Sequence, residues 1–600
     1  MIETMATPPD GSETRAPAAG GPARAAASVR IVPARVRPWL LLLVVLVSAG
    51  AIVGAMRRTS ATFDEIAFMG TGARGYHLGR FDAIPDHPPL LQYFYGLPIY
   101  LAGPRFPADF GSAQHPGYRY AYSKRLLWES GNDPERLVFL SRLVAVAFAL
   151  SLILGVWAVT RRAAGADAAL LAAGLAAFLP DVLAHGGVSY GDVPFTAAYL
   201  FTVAAFDAAV RRPSAARGVL AGAAAALAVG IKYSALALAP VAVLLVCAEA
   251  ATRPKDRDWW RRVGLAAAAG LLTLYVALVA MYGGDPKLAE FRYGLLLTRM
   301  HVELGHGVPS YLLGHTSEQG WWYFYPVAFL FKTPAALHAL ILLAVLGYVR
   351  AARGGRGPGA AEAAGAVDAT AAQAAPAAPT RLRAALASPL RAVAIAPLVF
   401  LAFLLRSHLD IGFRYALPAL PFLGILVAVG LARLWATSSR LVRGVVAALL
   451  VAYAASSLSF YPHFLAYTSE YAPGRDRGDE VLLDSSLDWG QGLLELRDFM
   501  RQEHIDRVYL SYFGSALPAG YGIDYVPLPS FFSLPPARPA RPGDREPEWV
   551  VVSATTLHGL YLRGDPFARL RSRRPDRVLA HSLFVYRLRN DPGSRARPGR

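Results

Sequence analysis

The residues most able to do chemistry in this chain are two adjacent carboxylates, Asp64 and Glu65, followed by Asp86-His87-Pro88-Pro89-Leu90. They lie shortly after an apolar run at 39–56, and carboxylates beside a bilayer are costly unless solvated, paired or used in a reaction. The chemistry they offer is general base catalysis, the removal of a proton from an attacking group. On a helix, adjacent side chains diverge by about 100°, so the pair cannot readily face one ligand as a dyad. One acid is expected to point into a site. The other positions it, caps a helix or meets solvent. A solvated acidic pair at the membrane surface is the plain alternative.

Other groups could join such a site. A shared cleft would set Asp86 or His87 beside Asp64, although Pro88 and Pro89 equally suit a helix start capped by Asp86. Asp192, in Gly191-Asp192-Val193-Pro194, stands immediately before another apolar run and reads either as a helix cap or as a further functional acid. Cations are more telling. Lys232 falls in a short break between apolar runs, Lys332 lies well inside one, and Arg406, His408 and Arg414 crowd a single turn. Asp410 can pair with one of these and leaves a surplus. A lipid phosphate or pyrophosphate would satisfy it, Arg through a forked contact and Lys as a point charge. Snorkelling is the alternative for residues at span ends, and it is weakest for Lys332.

Other chemistries find less support. His301, Glu303, His306 and His315 follow no zinc-binding spacing, and the single cysteine, Cys247, offers no Cys-based metal site. No Gly-rich phosphate loop or dinucleotide fingerprint is present, so soluble nucleotide chemistry is unsupported.

The elements that must position these groups are read from composition and hydropathy. The chain has 600 residues, 54% of them hydrophobic, with a positive mean hydropathy, the signature of a polytopic α-helical membrane protein. The formal net charge of +18 is assigned to basic cytoplasmic loops rather than to nucleic-acid binding. The first apolar run is too deep in the chain for a signal peptide and reads as a retained span. Further spans are expected near 137–160, 167–185, 193–210, 217–231, 234–250, 262–282, 323–349, 391–406, 413–434 and 441–459, about eleven in all. The run 88–101 is shorter, holds Pro98, and is expected at the interface.

Alternating from an N-terminal tail that carries Arg30, Arg35 and Arg37, every loop placed inside is basic. This puts 57–136, 181–192, 283–322, 406–412 and the region from about 460 outside the cytoplasm. Residues 1–36 read as a disordered cytoplasmic tail and 37–459 as the transmembrane module, with 350–390 as a flexible cytoplasmic linker within it. Residues 460–588 read as a small extracytoplasmic α/β domain, with strands at 480–483, 507–513, 549–553 and 582–588 and a helix at 491–504. A basic tail, 589–600, follows. Outside the cytoplasm no ATP or nucleotide sugar is available, so synthesis there must draw on a lipid-borne donor.

Taken together, Phe63-Asp64-Glu65, His87-Pro88-Pro89-Leu90, Gly191-Asp192-Val193-Pro194, Lys332-Thr333-Pro334, Gly412-Phe413-Arg414-Tyr415-Ala416-Leu417-Pro418 and Asp484-Ser485-Ser486-Leu487-Asp488-Trp489-Gly490-Gln491 resemble a known family. It is that of the polytopic glycosyltransferases that use a polyprenyl-phosphate sugar, the protein O-mannosyltransferases and the lipid A aminoarabinose transferase of GT-C architecture. The likeness spans most of 38 to about 500 and implies an inverting hexosyl or pentosyl transfer to an extracytoplasmic hydroxyl of a protein, lipid or envelope glycan, in the inner or plasma membrane. By the resemblance, Asp64 is the catalytic base. Glu65, Asp86 and Asp192 are supporting acids that orient the acceptor or bind an ion, with His87 beside them. Lys332, Arg406 and Arg414 are the donor-phosphate candidates. The resemblance names no certain cofactor, and a divalent metal ion near the first loop is left open. A transporter or flippase of lipid-linked sugars is the competing reading. It should show paired broken helices in matching halves, and no such repeat is evident.

Overall fold

The computed structural model describes residues 31–111, 115, 117–253, 256–304, 309–354, 378–539 and 546–588. Most of the 1–36 tail, the middle of the 350–390 linker, the 589–600 tail and His306 lie outside the described residues. Leu- and Val-rich sequence with a proline in its first turn builds the helix Arg37–Met56, whose Leu42, Leu43, Leu46 and Val47 are exposed on the surface. Apolar side chains facing outward at this density mark a lipid-facing wall. Among the described residues, eight helices are long and apolar enough to cross a membrane by length and composition: Arg37–Met56, Pro134–Ala164, Asp192–Arg211, Tyr233–Thr252, Arg257–Met281, Ala335–Arg353, Phe413–Thr437 and Arg440–Leu458. The chain is a polytopic helical membrane protein.

Three shorter apolar helices, Ala166–Ala177, Ala215–Ile231 and Arg391–Leu404, stand where further spans were expected. At about 1.5 Å per residue, a twelve-residue helix falls well short of a hydrocarbon core of about 30 Å. Prolines account for two departures from the expected spans. The run 167–185 breaks at Leu179, which is extended because Pro180 follows it, and a short helix Pro180–His185 then restarts the chain. The run 323–349 breaks in the same way at Thr333, ahead of Pro334, into Phe324–Lys332 and Ala335–Gly354. The expected linker is helical at its far end, over Ala378–Ala387.

Glycines let several helices meet backbone to backbone. A Cβ at Gly72 of the helix Glu65–Leu78 would lie 2.2 Å from the Gln92 carbonyl oxygen of Leu90–Leu101. Gly222 packs against Gly270 in the same way, where a Cβ would come 2.1 Å from the carbonyl oxygen. Small residues at such crossings replace a hydrophobic driving force that lipid does not supply.

Beyond Leu458 the chain builds a mixed sheet. Its strand order is Tyr525–Pro527, Val508–Ser511, Trp549–Ser553, Leu583–Arg587 and Arg577–Leu579; the first three run parallel and the last two pair antiparallel. The helix Leu493–Gln502 buries Leu493, Leu494, Leu496, Phe499 and Met500. No strand forms at 480–483: Val481 instead accepts the Leu313 N–H at 2.9 Å. The strands Tyr525–Pro527 and Arg577–Leu579 are too short to read from alternation. The sheet is not a separate body, because Val508, Leu510 and Val551 share one core with Ile66, Met69, Tyr122 and Leu126 of the first loop region.

Gly222→Val should therefore cost about 1–3 kcal/mol or more by overpacking. Gly264→Ala, where a Cβ meets nothing within 4 Å, should leave stability at or slightly above the wild-type level. Thermal unfolding of the purified proteins in detergent checks the pair.

Candidate functional site

The site begins with a division of labour between the two adjacent acids. Asp64 is the N-cap residue of Glu65–Leu78, yet its side chain makes no capping bond. Its carboxylate is 24% exposed and accepts from the Tyr120 hydroxyl at 2.9 Å. Burial first, then the charge of Asp64, holds the Tyr120 phenol well above its ordinary range, so it stays a donor. Glu65 points the other way and is fully buried. Its two oxygens take Nε and Nη2 of Arg142, each at 2.8 Å, and the N–H groups of Thr62 and Ser189 at 2.9 Å. Arg142 also donates to the carbonyls of Met56, Thr59 and Ser60. Both Glu65 oxygens are occupied, so the acceptor- or ion-binding place implied for it beside the catalytic Asp64 gives way to a structural one.

Arg414 joins the distant pieces. Buried in the turn Phe413–Ala419, it donates to Ser485 Oγ at 2.9 Å and to Asp192 at 3.2 Å, and its other Nη lies 3.9 Å from Asp64. Trp489, Tyr415 and Tyr190 surround the guanidinium at 4.4, 4.7 and 4.9 Å from their ring centroids. Asp192 is bonded on its other oxygen to Lys232 Nζ at 2.7 Å. The cluster holds two carboxylates and two cations, so the expected surplus of positive charge is absent at rest. Its weakest contacts, Arg414 to Asp64 and to the Tyr415 hydroxyl at 3.5 Å, lie on one edge of the guanidinium.

The other expected residues divide. Asp86 is held by Arg119 at 2.6 and 3.1 Å and lies 3.4 Å from His87. Burial opposes its ionisation, but His87 and Arg119 outweigh it and hold the carboxyl far below the usual range. His87 packs edge-on to Phe68 and Tyr190. The pair thus borders the cluster through Tyr190 without bonding to Asp64. Lys332, expected to bind phosphate, is turned inward. Its ammonium donates to the carbonyls of Leu465, Tyr467 and Ser486 at 2.9, 2.7 and 2.6 Å, which uses all three donors. Arg406 is exposed and makes no side-chain bond to the cluster among the described residues. His301 and His315 are exposed, and among the described residues no group of three or more His, Cys, Asp or Glu side chains could hold a metal ion.

Residues 136–282 match the family model of dolichyl-phosphate-mannose-protein mannosyltransferase. The matched stretch runs from the first turn of Pro134–Ala164 to the residue after Arg257–Met281. Two solved structures resemble this chain at low identity. One is ArnT from Cupriavidus metallidurans bound to undecaprenyl phosphate, at 15% identity over 92% of this chain and 98% of that one, with a TM-score of 0.44. The other is the oligosaccharyltransferase AglB from Archaeoglobus fulgidus in complex with an inhibitory peptide and a dolichol-phosphate, at 14% identity over 74% of this chain and 59% of that one, with a TM-score of 0.43. No curated protein matches the chain. The matched segment contains Asp192, Lys232 and Arg142 but neither Asp64 nor Arg414.

Sequence reasoning missed Tyr120 and Arg142 as parts of this site and reached Ser485 only within a longer motif. Arg142 carried a signal: it stands inside a long apolar run, past the first turn of its helix, where a buried partner is required. Tyr120 carried none, since a loop tyrosine among several has no distinguishing pattern. Arg142→Leu should destabilise the protein by about 3–5 kcal/mol, because Glu65 is left charged and unpaired in the interior. The double variant Glu65→Leu with Arg142→Leu should lose less than Arg142→Leu alone. Thermal unfolding of the three proteins measures the difference.

Proposed function

We propose that this protein moves one sugar, with inversion, from a polyprenyl-phosphate donor to a hydroxyl outside the cytoplasm. In this reading the N-terminus is cytoplasmic, the sheet-bearing C-terminal region lies outside, and the chain sits in the inner or plasma membrane. The observation that carries the reading is Arg414, buried between the partly open Asp64 and the buried Asp192. Asp64 is the general base. It is partly open, it is not used as a cap, and Tyr120 orients it. The acceptor hydroxyl gives its proton to Asp64 as its oxygen bonds to the anomeric carbon, and the bond from that carbon to the phosphate oxygen breaks. Negative charge leaves Asp64 and appears on the departing lipid phosphate in the same step. The weakly held edge of Arg414 can then exchange the neutralised Asp64 for the phosphate, with Lys232 nearby as a second cation. Asp192 keeps both cations in position.

Glu65, Asp86 and His87 act as positioning residues in this scheme, and Lys332 supports the fold. Asp64 faces a phenol and a guanidinium, and Asp192 already carries two cations. That donor set suits an anion better than a divalent ion, so no step is routed through a metal.

Asp64→Asn should lower transfer from a labelled polyprenyl-phosphate sugar by roughly 10²–10⁴-fold while the inserted protein stays folded. Equal transfer by the two proteins would sink the mechanism. Arg414→Lys should keep the charge and lose the fork, raising the donor KM and lowering kcat at least tenfold. Lys332→Met should act mainly on thermal stability. Donor saturation curves and unfolding midpoints separate these outcomes.

A further inference from the structure

One surface beside Asp64 has no part in the transfer just described. Phe63, the residue before Asp64, stacks on Phe513 and Phe532 with centroids 5.2 and 5.1 Å apart and meets Phe531 edge-on at 5.1 Å. Phe532 in turn lies 5.1 Å from the ring of Tyr120, whose hydroxyl holds Asp64. Phe531 is 40% exposed. The segment carrying these rings is tied down along its length: Leu528 N–H donates to Leu510, Ser511 Oγ to Pro529, and Tyr512 N–H to Ser530 Oγ, at 2.8, 2.6 and 3.0 Å. A rigid segment of the C-terminal sheet region therefore displays an aromatic shelf one ring away from the candidate base. At its edge Lys124 Nζ sits 4.9 Å from the Phe532 centroid and, among the described residues, has no carboxylate in ion-pair contact.

We propose that this shelf is the acceptor subsite of the transfer reaction and that its acceptor is an acidic saccharide. The proposal rests on the reading of Asp64 as the base. A pyranose offers an apolar C–H face that lies flat on an exposed ring, while its hydroxyls project from the rim toward Asp64. Rings supply contact area at small entropic cost but no backbone donors or acceptors. An extended peptide, which must satisfy its own N–H and C=O groups, is poorly served by such a surface. The Lys124 ammonium, held over the Phe532 ring and, among the described residues, without a carboxylate in ion-pair contact although Glu129 acts on it from farther off, adds a place for a carboxylate or phosphate on the sugar, where a charged hydrogen bond is stronger than a neutral one. Phe531 thus selects for a ring and Lys124 for its charge.

The test is binding to the full-length protein in detergent, followed by saturation-transfer NMR and by equilibrium dialysis of labelled probes. The probes are a tetrasaccharide of galacturonic acid, a phosphorylated tetrasaccharide, the neutral galactose tetrasaccharide and a Thr-bearing peptide. At least one acidic saccharide should bind at least tenfold more tightly than the neutral one; which of the two binds better tells carboxylate from phosphate. Phe531→Ala and Lys124→Gln should each weaken that binding at least tenfold, Phe531→Trp should retain it, and all three variants should unfold at the wild-type temperature. Lys124→Gln should also remove most of the preference over the neutral probe. Asp64→Asn, which alters only the contact at the reacting hydroxyl, should keep the preference for the acidic over the neutral probe. Retained binding with no transfer from any polyprenyl-phosphate sugar would uphold the subsite and overturn the transfer reading. Transfer to the peptide without saccharide binding, or binding unchanged in Phe531→Ala, would overturn the subsite alone.

Discussion

The structure depends on one buried ion pair, Arg142 with Glu65. Neither side chain reaches solvent, and between them they engage the end of the first helix, the Thr59–Ser60 turn, the start of the second helix and the Ser189 loop. Removing two charges from water is unfavourable, and such a pair survives only where every remaining donor and acceptor is met. Here they are met by backbone groups of Met56, Thr59, Ser60, Thr62 and Ser189. The consequence is positional. With Glu65 locked inward, helix geometry turns Asp64 about 100° away from it, where it stays partly open.

The segment just before Asp64 is held from the other direction by residues more than four hundred positions later. Ser60 Oγ donates to the Gly490 carbonyl at 2.8 Å, Phe63 N–H to the Trp489 carbonyl at 2.9 Å, and Ala61 N–H to the Tyr521 hydroxyl at 3.0 Å. Trp489 also stacks against the Arg414 guanidinium, so the same short stretch anchors the base and flanks the cation. Ser485, a few residues earlier, accepts from Arg414. The motif around Asp484–Gln491 is therefore a strut between two halves of the site rather than a site of its own.

Much of the architecture was legible as hydropathy and punctuation. Long apolar runs read as helices because a 3.6-residue period and lipid-facing side chains leave little choice. The breaks at Pro180 and Pro334 were less legible, because hydropathy continues through a proline while the helix does not. The second break matters to the site, since it lies next to Lys332, whose ammonium meets three carbonyls of the 465–486 stretch. A lysine in an apolar run announces that it has a partner. It does not say whether the partner is a ligand or the protein's own backbone.

The sequence alone determined that this chain lies in a membrane, that its candidate acids fall in the breaks between apolar runs, and that Asp64 and Glu65 cannot readily share one ligand. These follow from composition and from the geometry of a single helix. Only the tertiary structure decided which acid is open, that Arg414 rather than Lys332 faces it, and that Phe531 and Phe532 stand beside it. Those outcomes rest on contacts between residues hundreds of positions apart, such as Arg414 with Asp64 and Phe63 with Phe531. Local pattern carries no record of such distances, because the energy that selects them is realised only when the helices and the sheet are packed together.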